Sequence, residues 1–134
     1  MNQVVQLKKV TVAQLEEGIL ENVFKAGDNI EVDDFYELSK VNYHLVKSKP
    51  YTVLASAEEL TSFSQEAREL VASKKFAGVA IAKALLISGL SQRIIGNFYI
   101  RVNKPFIKTK LFTDRDEAIN WLREQYRLGI NRLV

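Results

Sequence analysis

Residues 75–103, KFAGVAIAKALLISGLSQRIIGNFYIRVN, decide the fold. In the first part Ala77, Val79 and Ile81 alternate with Gly78, Ala80 and Ala82, and none of the six is charged. That pattern belongs to a strand covered on both faces, where neither side meets water. A buried helical turn is the competing reading, because Ala is a good helix former. From Lys83 onward the period lengthens. Ile87, Leu90, Ile94 and Phe98 recur at three- and four-residue spacing, flanked by Ala84, Ile95 and Val102, which predicts a helix over 84–102 with a wide apolar stripe.

The opposite side of that helix is also uncharged: Leu85, Gly89, Gln92, Gly96, Tyr99 and Ile100 fall there. Each Gly costs about 0.5–1 kcal/mol of helix propensity relative to Ala, a cost best explained where close packing needs the missing side chain. Two readings stay open. Leu85, Gly89, Gln92, Gly96 and Ile100 form a dimer face, or the helix is buried between the sheet and its own neighbours. Arg93, Asn97 and Arg101 recur every four residues with Tyr99 nearby. They are the candidate site for an anion or a partner's carboxylate, since a guanidinium offers a bidentate fork. The alternative is that they tie the helix to its own chain.

Outward from this stretch, Val10–Leu15 and Ile19–Phe24 are two β-prone runs around a Glu-Glu-Gly break, an opening hairpin. A helix is expected from a cap at Asp33 or Asp34, burying Phe35, Leu38, Asn42 and Leu45 and ending before Pro50. Tyr51, Val53 and Ala55 mark a core strand, and Leu60, Phe63, Ala67 and Leu70 a helix whose main part runs from about Ser64 to Ala72. Ser62 and Ser64 are its candidate caps. Ile107, Thr109 and Leu111 alternate with Lys108 and Lys110 as in an edge strand. A last helix starts at Thr113 or Asp114 and is expected to end near Gly129. The order is β-β-α-β-α-β-α-β-α, an α/β domain with a mixed sheet of about five strands. One domain is expected over 1–134, its core about 9–125.

Composition narrows the function classes. The chain has 134 residues, 47% hydrophobic and 26% charged, which suits a globular domain rather than a disordered one. Nineteen Lys and Arg against sixteen Asp and Glu give +3, too mild an excess to signal nucleic acid, and the lysines are scattered. With no Cys and a single His, His44, thiolate chemistry and His/Cys metal sites are excluded. His44 lies off the apolar side of its helix and reads as a surface residue. The carboxylates at Glu16-Glu17, Asp33-Asp34 and Asp114/Asp116 read as turn and cap residues, and no Gly-rich phosphate loop occurs. No cofactor, metal or catalytic residue is expected. The apolar run 77–90 is interrupted by Lys83 and Ser88 and is too short to span a membrane. No signal peptide is expected, which points to the cytoplasm.

Several phrases occur in an order that resembles the SpoIIAA-like branch of the STAS fold, the domain of bacterial anti-sigma-factor antagonists, and small uncharacterised bacterial proteins of that branch. They are the hairpin closing at Gly18, the helix after Ile30, the strand Tyr51–Ala55 and the helix start Gln65-Glu66-Ala67-Arg68. Ala80-Ile81, Arg93…Asn97-Phe98-Tyr99 and Leu111-Phe112…Ala118…Trp121-Leu122 complete it, so that it spans about residues 9 to 125. The resemblance implies a non-enzymatic regulatory or protein-interaction module. In the antagonists a phosphorylated serine lies in an Asp-Ser-Ser-Gly-like motif after the matching strand. Here the region reads Leu60-Thr61-Ser62-Phe63-Ser64-Gln65, without Asp-Ser and without Gly, so Ser62 and Ser64 are read as helix caps. The expected partner is a second copy, through helix 84–102, or an unidentified protein. The alternative is a small-molecule or lipid-binding module with a cavity beside that helix.

Overall fold

The structure, a computed structural model describing residues 3–132, has a six-stranded mixed sheet with apolar clusters on both faces. Strands β1 (Val4–Gln6), β2 (Val10–Glu16) and β3 (Ile19–Phe24) form an antiparallel meander. A short strand β4 (Asn29–Ile30) leads into α1 (Val32–Leu45), followed by the central strand β5 (Tyr51–Ala57). Strand β6 (Ser62–Phe63) pairs only with β4, and α2 (Gln65–Ala72) and α3 (Lys74–Ala77) follow. Then come β7 (Ala80–Leu86), α4 (Gly89–Phe98), a π-helical turn (Tyr99–Asn103), β8 (Lys108–Phe112) and α5 (Arg115–Arg132). The sheet order is β1-β2-β3-β5-β7-β8, parallel from β3 to β8.

Parallel strands need cover on both sides, and β5 has it: Tyr51 to Ala55 are all buried. Tyr51, Val53 and Ala55 join Val12, Leu20, Phe24, Phe35 and Leu38 on one face. Leu54 joins Ile19, Ala84, Ala118 and Leu122 on the face covered by α5. The fully buried polar side chains Asn22, Asn42 and Thr52 are paired. Asn22 and Asn42 join amide to amide at 3.2 Å, and the Thr52 hydroxyl donates to the Gly18 carbonyl at 2.9 Å. Arg115 and Arg123 on α5 pair with Glu21 and Glu16 at 2.6 and 2.8 Å, fixing the helix over the β2–β3 hairpin. Glu16, expected in the turn, is thus the last residue of β2 and an ion-pair partner.

The hairpin, the α1 and α2 positions and the core strand Tyr51–Ala55 agree with the sequence pattern. Other details differ. The main sheet has six strands rather than about five, because β1 pairs with β2 ahead of the expected hairpin, and Leu60 and Phe63 lie outside α2, Phe63 in β6. The strand expected over 78–82 runs over Ala80–Leu86, because Ala84, Leu85 and Leu86 pair with β5 on one side and β8 on the other. This two-sided pairing overrides the helix propensity of Ala and Leu, so Leu85 is a strand residue. Next, α1 begins two or three residues earlier than a cap at Asp33 or Asp34 implies. Glu31 is the cap, and its N–H donates to Asp34 at 2.8 Å. Ser64 caps α2 by accepting from the Ala67 N–H at 3.1 Å, but Ser62 lies in β6 and donates to Asn29. Finally, α5 continues through Gly129, where a Cβ would stand 2.7 Å from the Ile81 side chain. Gly129 is a close-approach residue, not a stop.

Gly18 closes the hairpin at φ +81°, and a Cβ there would fall on the Tyr126 ring. Gly18→Ala therefore combines left-handed strain with overpacking. It is expected to cost about 2–4 kcal/mol in urea unfolding, part of it recovered in the Gly18→Ala/Tyr126→Ala double variant.

Candidate functional site

Helix α4 is attached to the sheet by small and polar groups. Gln92 accepts from the Ser88 N–H at 2.9 Å and donates to the Ala57 carbonyl at 2.8 Å, tying the first turn to the end of β5. One turn on, a Cβ on Gly96 would stand 2.7 Å from the Leu111 side chain, so the missing side chain lets α4 settle onto β8. The part of the apolar stripe that lies on α4 and the turn after it consequently faces outward: Leu90 is 71% exposed and Ile94 60%, with Ile95, Phe98 and Val102 also exposed, whereas Ala84 and Ile87, ahead of the helix, are buried.

Under the inner side of α4 lies a cavity of about 280 Å³, bounded by the carboxyl ends of β5 and β7, by α2 and by the loop 58–63. This is where open α/β sheets place ligands. Phe24, Phe35 and Phe63 form its apolar wall, with Phe24 and Phe63 edge to face at 5.1 Å between centroids. Leu60, 88% exposed, and Ile95 stand on its border.

Three polar groups converge on this space. Lys83, on β7, lines both this cavity and a smaller one of about 40 Å³ behind it. It forms no ion pair among the described residues, and burial pushes its ammonium down to about 8. The Tyr99 ring is buried from the π-helical turn, and loss of water raises its hydroxyl above the ordinary tyrosine value. Arg68, on α2, donates to the Phe63 carbonyl at 2.7 Å and lies 5.5 Å from the Phe98 ring centroid. Its Nε is buried without a hydrogen-bond partner among the described residues.

The sequence-predicted groups divide differently. Arg93, Asn97 and Arg101 remain exposed, and Tyr99 is turned away into the cavity. The expected four-residue cluster is therefore split by burial, with the two arginines outside ion pairs among the described residues. Of the expected dimer face, Leu85 lies on β7, Gln92 and Gly96 are used against the chain's own sheet, and Ile100 is half-buried. Only Gly89 is open, at the helix start with φ +78°. Close packing needs the Gly96 gap, as anticipated, but within the protomer; the face turned to solvent is the opposite one. Lys83 and Arg68 were missed as site residues. Lys83 had a signal, as the sole charge between Phe76 and Gln92; Arg68 had none beyond ordinary helix spacing. His44 is exposed, as expected.

Among the described residues no group of three or more His, Cys, Asp or Glu gathers as a metal site, and no helix is long and apolar enough to cross a membrane.

The sheet order and the placing of α1–α5 define a SpoIIAA-like fold. The crystal structure of an uncharacterised protein from the DUF3478 family of Shewanella loihica PV-4, described as SpoIIAA-like, shares it with a TM-score of 0.57. That likeness covers 91% of this chain and 95% of that one at 15% identity. The chain belongs to the family described as a domain of unknown function, DUF7793, whose model matches residues 13–126. The anti-sigma factor antagonist SpoIIAA in its unphosphorylated form is 11% identical, with a TM-score of 0.44 over 92% of this chain and 98% of that one. No curated protein matches the chain.

The lowered Lys83 value fixes a sign. Below about 8 the folded protein holds a desolvated cation that water would solvate in the unfolded chain. Between about 8 and 10.5 the unfolded chain binds more protons, so Lys83 contributes a rise of stability with pH. Lys83→Met is expected to stabilise the protein by about 1–3 kcal/mol at pH 7, with a smaller gain at pH 9.5, in parallel urea titrations. Measurements stay below pH 10, where the buried tyrosines act in the opposite direction, Tyr51 being pushed up to about 12 by burial.

Proposed function

We propose that the protein is a non-enzymatic interaction module that binds through the outward side of α4, with a second copy of the chain as its occupant. The observation that carries this is the row Leu90, Ile94 and Phe98, continued by Val102, all exposed on one short segment. Spacing of four residues aligns the first three along the helix, so two antiparallel copies could interdigitate across a two-fold axis. Arg93 and Arg101 flank the row, and residues 88–113 hold no Asp or Glu. Like charges would then face each other in a dimer, and salt would strengthen it by screening them. An acidic partner would show the reverse dependence. In light scattering over a dilution series, wild type is expected to be dimeric, more so at high salt. Ile94→Glu, folded by circular dichroism because the site is exposed, is expected to be monomeric. A wild-type monomer at every concentration overturns self-association.

A second reading, a small-molecule-binding module, is favoured by the apolar cavity itself. Decanol is expected to bind it, and Ile95→Trp, which places a large ring at the border, to weaken that binding at least fivefold in calorimetry.

A further inference from the structure

The cavity is largely apolar, but its lining includes a lysine on the sheet side. Its sheet side carries Lys83, from β7, together with the buried side chain of Tyr99. Its border toward solvent carries Leu60 and Ile95. The exposed Glu58 and Ser91 line it as well, so the distinguishing feature is the cation set among apolar groups on the sheet side. The charged residues that line it are Glu58, Arg68 and Lys83. Glu58 is exposed and accepts from the Ala26 N–H at 2.9 Å, and Arg68 is held by the Phe63 carbonyl and the Phe98 ring. Neither engages Lys83, whose ammonium has no anion within ion-pair distance among the described residues.

A cation facing an apolar space without a counter-charge destabilises its own fold, and a Leu or Met would fill the same place without that cost. Lys83 is thus costly as a structural residue. The cost is recovered if something that enters the cavity brings the negative charge, because an ion pair is strongest where water is excluded. The occupant must then be an anion at one end and apolar along the rest, with the anion innermost.

We propose, resting on the reading of the protein as a small-molecule-binding module, that the cavity takes an amphiphilic monocarboxylate. Its carboxylate sits on the sheet side, accepting from Lys83 Nζ and from the Tyr99 hydroxyl. Its alkyl tail lies along Phe24, Phe35 and Phe63 and leaves past Ile95. A cavity of about 280 Å³ limits the tail to medium length. The two donors suit a carboxylate, which accepts at both oxygens.

Calorimetric titration of the wild type at pH 7 with decanoate and with decanol, both below their aggregation limits, tests this. Decanoate is expected to bind at least tenfold more tightly than decanol. Lys83→Met is expected to bring the two within about threefold while decanol binding persists, and Lys83→Arg to keep the carboxylate preference. Tyr99→Phe is expected to weaken decanoate alone. Equal affinities in the wild type, or a carboxylate preference that survives Lys83→Met, overturn the proposal and leave the small-molecule reading standing. Absence of binding by both probes overturns the two together. Decanol binding by Lys83→Met verifies that the variant is folded with its cavity open.

Discussion

Burial of β5 on both faces is the condition that the rest of the structure satisfies. A strand with Tyr51 to Ala55 inside can be covered only if helices lie above and below the sheet. The chain meets that demand unevenly. Helices α1 and α2 supply side chains to the larger core cluster on one face, whereas α5 alone anchors the smaller cluster on the other. Hence α5 is long, carries two ion pairs back to the hairpin and continues past Gly129 to keep contact with β7. The ion pairs are partly exposed and add little energy each, so their effect is to orient α5 over a surface that packing has already chosen.

The same economy of cover shapes the candidate site. Helix α4 is short, and its bulkiest side chains are not spent on the sheet. It is held by the Gln92 bonds and by the Gly96–Leu111 approach. The large side chains are left to solvent, and a space bounded by Phe24, Phe35, Phe63 and Lys83 stays unfilled beneath the helix. The cavity and the exposed row are therefore two consequences of one arrangement.

How much of this could be read from the sequence follows from what pattern can encode. The hairpin, α1, the buried strand and α2 were legible because their periods are local and their ends carry turn or cap chemistry. The boundary in 80–89 was not. Ala84, Leu85 and Leu86 suit a helix on intrinsic grounds, and only pairing with β5 and β8, distant in sequence, makes them a strand. Once that boundary moved, the assignment of inner and outer sides of the helix moved with it. A period identifies two faces but does not say which is covered. Gly96 held the information, since a glycine costs helix stability and the nearest beneficiary is the chain's own sheet. Lys83 was visible as an isolated charge in an apolar run, yet its lack of a counter-charge is a property of the folded neighbourhood alone.

The two proposed functions are not independent, because they use opposite sides of one helix. A ligand in the cavity would touch Ile95, Gly96 and Tyr99, while a second copy would touch Leu90, Ile94 and Phe98. Any ligand that shifts or stiffens α4 must then alter the affinity of the outer side, and dimerisation must alter ligand affinity by the same factor. The π-helical turn Tyr99–Asn103 joins the two sides, since it buries Tyr99 while Val102 of the same turn faces solvent. Such turns are local departures from helical geometry and recur at functional positions.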